Sequence, residues 1–294
     1  MKLCVIGGAG ARSAFLTKSL VKSARDIRVD HIVLLDNDQQ KLKTYGEISR
    51  ELARRLDPDL TFEVTSDARA ALTGVDYIIT TIRAGEDAGR LFDEQTCLAH
   101  GVLGQETTGA GGFAMAIRSV PTLVYYCTLA REVANPGHLI FNFTNPSGII
   151  TQALRSKGFD NVYGICDAPS GFIKQLEEIL EIPYGTLDIE CYGLNHLSWF
   201  RNAKVNGRDV QRELLDNPRT YEHSEMRLFT REMARISGDC MLNEYLYFYY
   251  RRVKSLSMIQ KADHPRGEMI YLINRELEEQ LARLEPVSYT HLTL

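Results

Sequence analysis

Along the first 185 residues, short runs of aliphatic and β-branched side chains alternate with longer stretches whose apolar positions recur at helical spacing. The short runs, residues 3–6, 30–35, 61–64, 77–81, 139–143 and 161–166, predict strands. Strand and helix taking turns in this way imply βαβ units and a parallel sheet. The runs are mostly apolar rather than strictly alternating, as expected of strands when helices cover both faces of their sheet. Residues 1–185 are therefore expected to be α/β, a doubly wound sheet of the Rossmann type.

After about Gly185 the pattern changes. Residues 187–192 and 200–205 predict strands, the polar segment 208–223 a loop and 225–235 a helix, so residues 186–294 form a second, α+β region. Tyr245, Tyr247, Tyr249 and Tyr250 are spaced over more than one helical face, which predicts that this cluster is largely buried. The helical pattern of 267–284 breaks at Pro286 and leaves 287–294 with nothing to pack on, and that tail is expected to be foreign or truncated sequence.

Charge narrows the possible partners. A formal net charge of -4 without any basic run argues against nucleic acid or an anionic membrane and leaves a small molecule. No apolar run approaches membrane-spanning length, and residues 1–6 meet Gly7 and Gly8 too early for a signal peptide. Six cysteines without a CxxC pair, in a chain long enough to build its own core, fit a reducing cytoplasm.

The first strand runs into Gly7, Gly8, Ala9, Gly10, Ala11, Arg12 and Ser13, where the backbone must turn tightly before a helix. Gly8, Gly10 and Ser13 stand in the positions of G-x-G-x-x-G, with serine replacing the third glycine. Asp36 ends the second strand, where a carboxylate accepts hydrogen bonds from the adenosine ribose of NAD. A plain strand-to-helix turn and a capping Asp36 are the alternative reading.

Cys166, in Gly164-Ile-Cys-Asp-Ala-Pro169, ends the last predicted strand, and His196 lies in Gly193-Leu-Asn-His-Leu-Ser-Trp199. A thiolate with an imidazole can hold a borderline divalent metal and leave positions open for substrate oxygens. A small core cysteine and a satisfied structural histidine are the other reading. Asn142 and Asn145, in Asn142-Phe-Thr-Asn-Pro-Ser147, offer carboxamides to sugar hydroxyls, unless Asn145 caps a helix entered through Pro146. Arg83, Arg90, Asp93 and Glu94 follow the strand at 77–81, where an arginine could grip a phosphate with two donors or stand as solvated charge.

In this order and spacing, GGAGARS, GVLGQETTGAGGF, NFTNPSGI, GICDAP and GLNHLSW resemble glycoside hydrolase family 4, over nearly the whole chain up to about Leu284. That family is the NAD-dependent exception to glycoside hydrolysis by two carboxylates. The resemblance implies NAD seated by Gly7, Gly8, Gly10, Ala11, Arg12 and Asp36, and a divalent metal, usually manganese, held by Cys166 and His196. It implies oxidation of the sugar at carbon 3, removal of the acidified carbon 2 proton by a tyrosinate, loss of the aglycone, addition of water and return of the hydride. The base aligns with Tyr245, with Tyr247 as the rival and core packing as the other role of either. Asp167 matches an acid that assists the leaving group, or else caps the helix ahead of Pro169. Asn145 matches a substrate-binding asparagine, Arg90 and Arg266 match arginines near the sugar phosphate, and Glu106 a polar residue near the metal.

The implied substrate is a phosphorylated disaccharide or an aryl glucoside 6-phosphate met in the cytoplasm, and the full-length protein is implied to be a homo-oligomer. GQETTG with GLNHLSW most resembles the 6-phospho-β-glucosidases, whereas Asp167 is similar to the 6-phospho-α-glucosidases, which are the alternative. The second region is expected to resemble the C-terminal domain of lactate and malate dehydrogenases. An NAD-dependent 2-hydroxy acid dehydrogenase is thus a competing reading, against which GICDAP and GLNHLSW count, and a non-catalytic redox-sensing module is a third. Family members run well beyond 294 residues.

Overall fold

The computed structural model describes residues 1–283, and each of the six N-terminal runs forms a strand. β1 (Lys2–Ile6), β2 (His31–Leu35), β3 (Thr61–Thr65), β4 (Tyr77–Thr80), β5 (Leu139–Asn142) and β6 (Val162–Gly164) pair in parallel in the order β3-β2-β1-β4-β5-β6. The order reverses between β1 and β4, where Ile6 lies beside Thr80, and ligands of open α/β sheets collect at such a switch point.

Continuous apolar strands have both faces to bury. Cys4, Ile6, Val33 and Leu35 point into one cluster with Ile78 and Ile140, while Leu3, Val5, Ile32 and Leu34 point into another with Val21 and Ala53. The first cluster also takes Leu123, Cys127 and Ala130 from the helix Gly109–Val133. By length and composition this 25-residue helix is apolar enough to cross a membrane, contrary to the expectation that no run would be. Its buried face packs on the sheet, while Phe113, Ile117 and Tyr125 are exposed.

Two compact units form: one of residues 1–97, 104–165 and 263 onward, the other of 98–103 and 166–262. The division falls between Ile165 and Cys166, ahead of the expected 185/186, because the helix Ala168–Leu180 gives Phe172, Leu176 and Ile179 to the second core. The helix Arg266–Ala282 belongs to the first unit, with Leu281 against Tyr45 and Ile48 and the Asn274 amide donating to Asp87 at 2.6 Å. Among the described residues, 186–262 therefore fall in the second unit and 263–283 in the first.

In the second unit β7 (Leu187–Leu194) and β8 (Leu197–Val205) form an antiparallel hairpin, with β9 (Arg208–Asp209) and β10 (Met241–Leu242) paired to β8. Phe172 meets Phe200 edge to face at 4.9 Å in its core. The segment expected as a loop contains β9 and the helices Gln211–Asp216 and Pro218–His223, because buried Leu214 and Leu215 were masked by polar neighbours. The single helix expected at 225–235 is a 3-10 turn, Glu225–Leu228, and a helix Arg231–Ile236 whose amides are capped by Thr230. Of the clustered tyrosines only Tyr247 is buried, and Tyr249 and Tyr250 are exposed. The tail 287–294 lies outside the described residues.

Candidate active site

β1 delivers the chain into Gly7, whose φ of +80° and lack of space, with Ile82 N only 2.8 Å from where a Cβ would sit, admit glycine alone. Gly8 packs as tightly on Leu34, but nothing lies within 4 Å of the Cβ position at Gly10. Packing does not demand glycine there, and the open space over its backbone suits the approach of a pyrophosphate. Ser13 opens the helix Ser13–Ser23 and its Oγ accepts the Gly10 N–H at 2.7 Å, so the hydroxyl shapes the loop from the third glycine position. Ala11 and exposed Arg12 form the turn between them.

Asp36 follows β2 and ties it to this loop. Its two oxygens accept the N–H groups of Ala9 at 3.1 Å and Asp38 at 3.0 Å, and each keeps capacity for another donor such as a ribose hydroxyl. Burial pushes its carboxyl above the ordinary range against the pull of those two hydrogen bonds.

Arg90 and Glu106 come together in a buried ion cluster of the first unit. Arg90 Nε donates to Glu94 at 2.9 Å and its Nη1 lies 3.1 Å from Glu106, which also receives Arg83 Nε at 2.9 Å. The second Glu94 oxygen accepts the Gly267 N–H at 2.7 Å, so one carboxylate holds Arg90 beside the segment that carries exposed Arg266. Asn142 is consumed by the fold, accepting from Thr80 at 2.9 Å and donating to Thr151 at 3.1 Å. Asn145 is half-buried and does not cap the helix Ser147–Ser156, whose N-cap is Pro146.

Cys166 lies two residues beyond β6 rather than at its end. His196 occupies the two-residue turn between β7 and β8 at φ +58°, an uncommon conformation for a side chain with a Cβ and one tolerated where position matters. The turn brings His196 Nε2 to 3.4 Å from Cys166 Sγ. Donors about 2.3 and 2.1 Å from one cation, at angles from ~90° to ~110°, stand roughly 3.1–3.6 Å apart, so this soft-plus-borderline pair fits a divalent metal. Among the described residues no three His, Cys, Asp or Glu side chains gather as a metal cluster, so the pair would supply two ligands.

Tyr245 lies flat on His196, ring centroids 3.9 Å apart and planes within 1°. Tyr247 turns instead into the core against Phe229, its hydroxyl 3.5 Å from Met258 sulfur. The geometry thus brings Tyr245, and not its rival, to the Cys166–His196 pair. Asp167, exposed beside Cys166, stands at the N-cap of the helix Ala168–Leu180 but its side chain makes no capping hydrogen bond. A cleft lined by Ala168, Pro169, Tyr192, His196, Ser198 and Asn243 opens next to the imidazole.

Glu225 and Asn243 were missed from sequence. Glu225 Oε2 accepts from Asn243 Nδ2 at 3.1 Å and from the Glu244 N–H at 2.9 Å, and Asn243 Oδ1 accepts the Tyr245 N–H at 3.1 Å. Burial pushes the Glu225 carboxyl up to about 7, with Glu244 adding to the rise and the Glu244 N–H and Arg227 opposing it. A raised folded pKa gives a contribution to stability that is full below about 4.5 and lost as pH rises through about 7. Glu225→Gln is therefore expected to flatten the fall of stability across this window, by up to about 3 kcal/mol, in melting curves recorded against pH.

A parallel sheet with a glycine loop at its switch point, joined to a unit that pairs a thiol with an imidazole under a tyrosine, has the build of a dinucleotide-linked two-domain enzyme fold. Malate dehydrogenase from Salinibacter ruber shares that fold at TM-score 0.55 and 17% identity, covering 90% of this chain and 77% of its own. Residues 2–182 match the family 4 glycosyl hydrolases and residues 191–292 match their C-terminal domain, so the chain belongs to glycosyl hydrolase family 4. The 6-phospho-beta-glucosidase of Thermotoga maritima is 31% identical over 286 residues, 95% of this chain and 66% of that protein. Its structure with manganese, NAD+ and glucose-6-phosphate superposes at TM-score 0.85 and 30% identity, covering 97% of this chain and 68% of the other. A 6-phospho-alpha-glucosidase from gut microorganisms, in complex with NAD and Mn2+, superposes at TM-score 0.86 and 26% identity, covering 97% and 69%. The chain spans about two thirds of the length of these relatives.

Proposed function

We propose that this chain is the core of a glycosidase that uses NAD and a divalent metal to cleave 6-phosphoglucosides, with β-linked substrates preferred. The meeting of Cys166 Sγ and His196 Nε2 at 3.4 Å under the ring of Tyr245 carries the reading. Cys166 and His196 would hold the ion, of which Mn2+ is an example; bound metal and NAD supply Lewis acidity and a hydride acceptor that together acidify sugar carbon 2. Tyr245 Oη takes that proton, and the stack on His196 fixes the direction from which it does so. Asp167, its carboxyl not spent on capping, gives a proton to the departing oxygen.

Gly7, Gly8, Gly10, Ala11 and Arg12 seat the dinucleotide, and Asp36 accepts from its ribose. Arg266 and Asn145 bind the substrate, and Arg90 reaches the phosphate with whichever of its five donors Glu94 and Glu106 leave over. Glu106 holds Arg90 and Arg83 in place. Phosphorylated sugars place the reaction in the cytoplasm, with the full-length protein a homo-oligomer.

The β preference is supported by GQETTG, GLNHLSW and the Thermotoga relative; Asp167 favours the α-linked alternative. With NAD and MnCl2 present, 4-nitrophenol release from the β-glucoside 6-phosphate should exceed release from the α-anomer by about 10-fold or more, a difference of ~1.4 kcal/mol in transition-state binding. Preference for the α-anomer would overturn the β assignment. Net NADH from a 2-hydroxy acid, without glycoside cleavage, would overturn the hydrolase.

A further inference from the structure

Tyr245 is only half-buried, yet its ring is parallel to His196 to within a degree, and something must hold the segment that carries it. Side chains that bind this segment include Asn243, which accepts the Tyr245 N–H at 3.1 Å, Glu225, which accepts both Asn243 Nδ2 and the Glu244 N–H, and Arg227, which pairs with the Glu244 carboxylate at 3.5 Å. Asn243 and Glu225 are themselves buried. Burying a carboxyl is costly, and an apolar residue would fill the same space more cheaply unless the hydrogen bonds matter.

Glu225 is anchored in turn. Its own N–H donates to Gln175 Oε1 at 2.9 Å, and Gln175 belongs to the helix Ala168–Leu180, which starts just after Cys166 and Asp167. One helix therefore serves as the common reference for the thiol, through chain continuity, and for the tyrosine, through Gln175, Glu225 and Asn243.

We infer that Glu225 is a positioning residue that, through Asn243 and the Glu244 amide, holds Tyr245 in place over His196. The inference rests on the reading of Tyr245 as the proton acceptor. Alanine at 225 leaves Asn243 and the amide of Glu244 without their acceptor and lets the tyrosine segment drift. Glutamine keeps an oxygen that can accept both N–H groups.

The test has a spectroscopic and a kinetic arm. In the metal-free protein the His196 ring protons should be shifted upfield by the tyrosine ring, a signature kept in Glu225→Gln and lost in Glu225→Ala. With NAD and MnCl2, Glu225→Ala should lower kcat on 4-nitrophenyl β-glucoside 6-phosphate by about 10- to 100-fold, the effect of a displacement near 1 Å, with little change in KM. Glu225→Gln should recover most of that loss. Should Glu225→Ala fail to fold, Asn243→Ala breaks the same link and is read the same way. An unchanged His196 shift in a folded Glu225→Ala protein, or unchanged kcat, overturns the inference. Full activity of Tyr245→Phe would instead overturn the reading beneath it, and the two failures are separable because they fall on different variants.

Discussion

Cys166→Ser is expected to abolish manganese binding and to lower glycosidase turnover by at least about 10³-fold, or ~4 kcal/mol, while leaving NAD affinity unchanged. Serine is isosteric but is not ionised at neutral pH, and it replaces a soft ligand by a neutral hydroxyl. Because Cys166 and His196 are the two ligands on which the proposal stands, loss of one removes half the donor set. The glycine loop and Asp36 belong to the other compact unit, so the dinucleotide should still bind. Equilibrium dialysis with MnCl2 and a fluorescence titration with NAD measure the two separately. Retention of both metal and turnover in the serine variant would remove the metal role from Cys166.

Tyr245→Phe should slow exchange of the sugar carbon 2 proton with solvent by about 10²- to 10⁴-fold, the contribution of a positioned general base. Phenylalanine preserves the aromatic stack on His196 and deletes only the hydroxyl, so KM should hardly move. Deuterium incorporation at carbon 2 reports the step directly, and undiminished incorporation would place the base elsewhere. Tyr247→Phe serves as the comparison, since that hydroxyl meets Met258 sulfur, away from His196, and should not affect exchange.

Much of this was legible in the linear pattern. Short apolar runs read as parallel strands, and all six formed; β1 and β2 are buried almost throughout because helices cover both faces of the sheet there, while β3 and β6 at its edges are more exposed. Misreadings came where burial is partial. Leu214 and Leu215 sit among charged residues, so a short helix looked like a loop, and Tyr249 and Tyr250 are exposed on a helix whose other face supplies Leu246 and Tyr247 to the core. The long helix Gly109–Val133 escaped notice as apolar because Arg118 and Pro121 interrupt its pattern without preventing its packing.

The sequence by itself determined the class of sheet, the glycine loop at its switch point and the identity of the chemically able residues, because each follows from side-chain type and near-neighbour spacing. Only the tertiary structure decided which of them meet. The contact of Cys166 with His196, the stacking of Tyr245 rather than Tyr247 on His196, the enclosure of Arg90 by Glu94 and Glu106, and the tie from Glu225 to Asn243 join positions 4 to 49 residues apart in the chain. Such contacts depend on the direction of a hairpin turn or the register of a helix, which small packing differences set and no local pattern encodes.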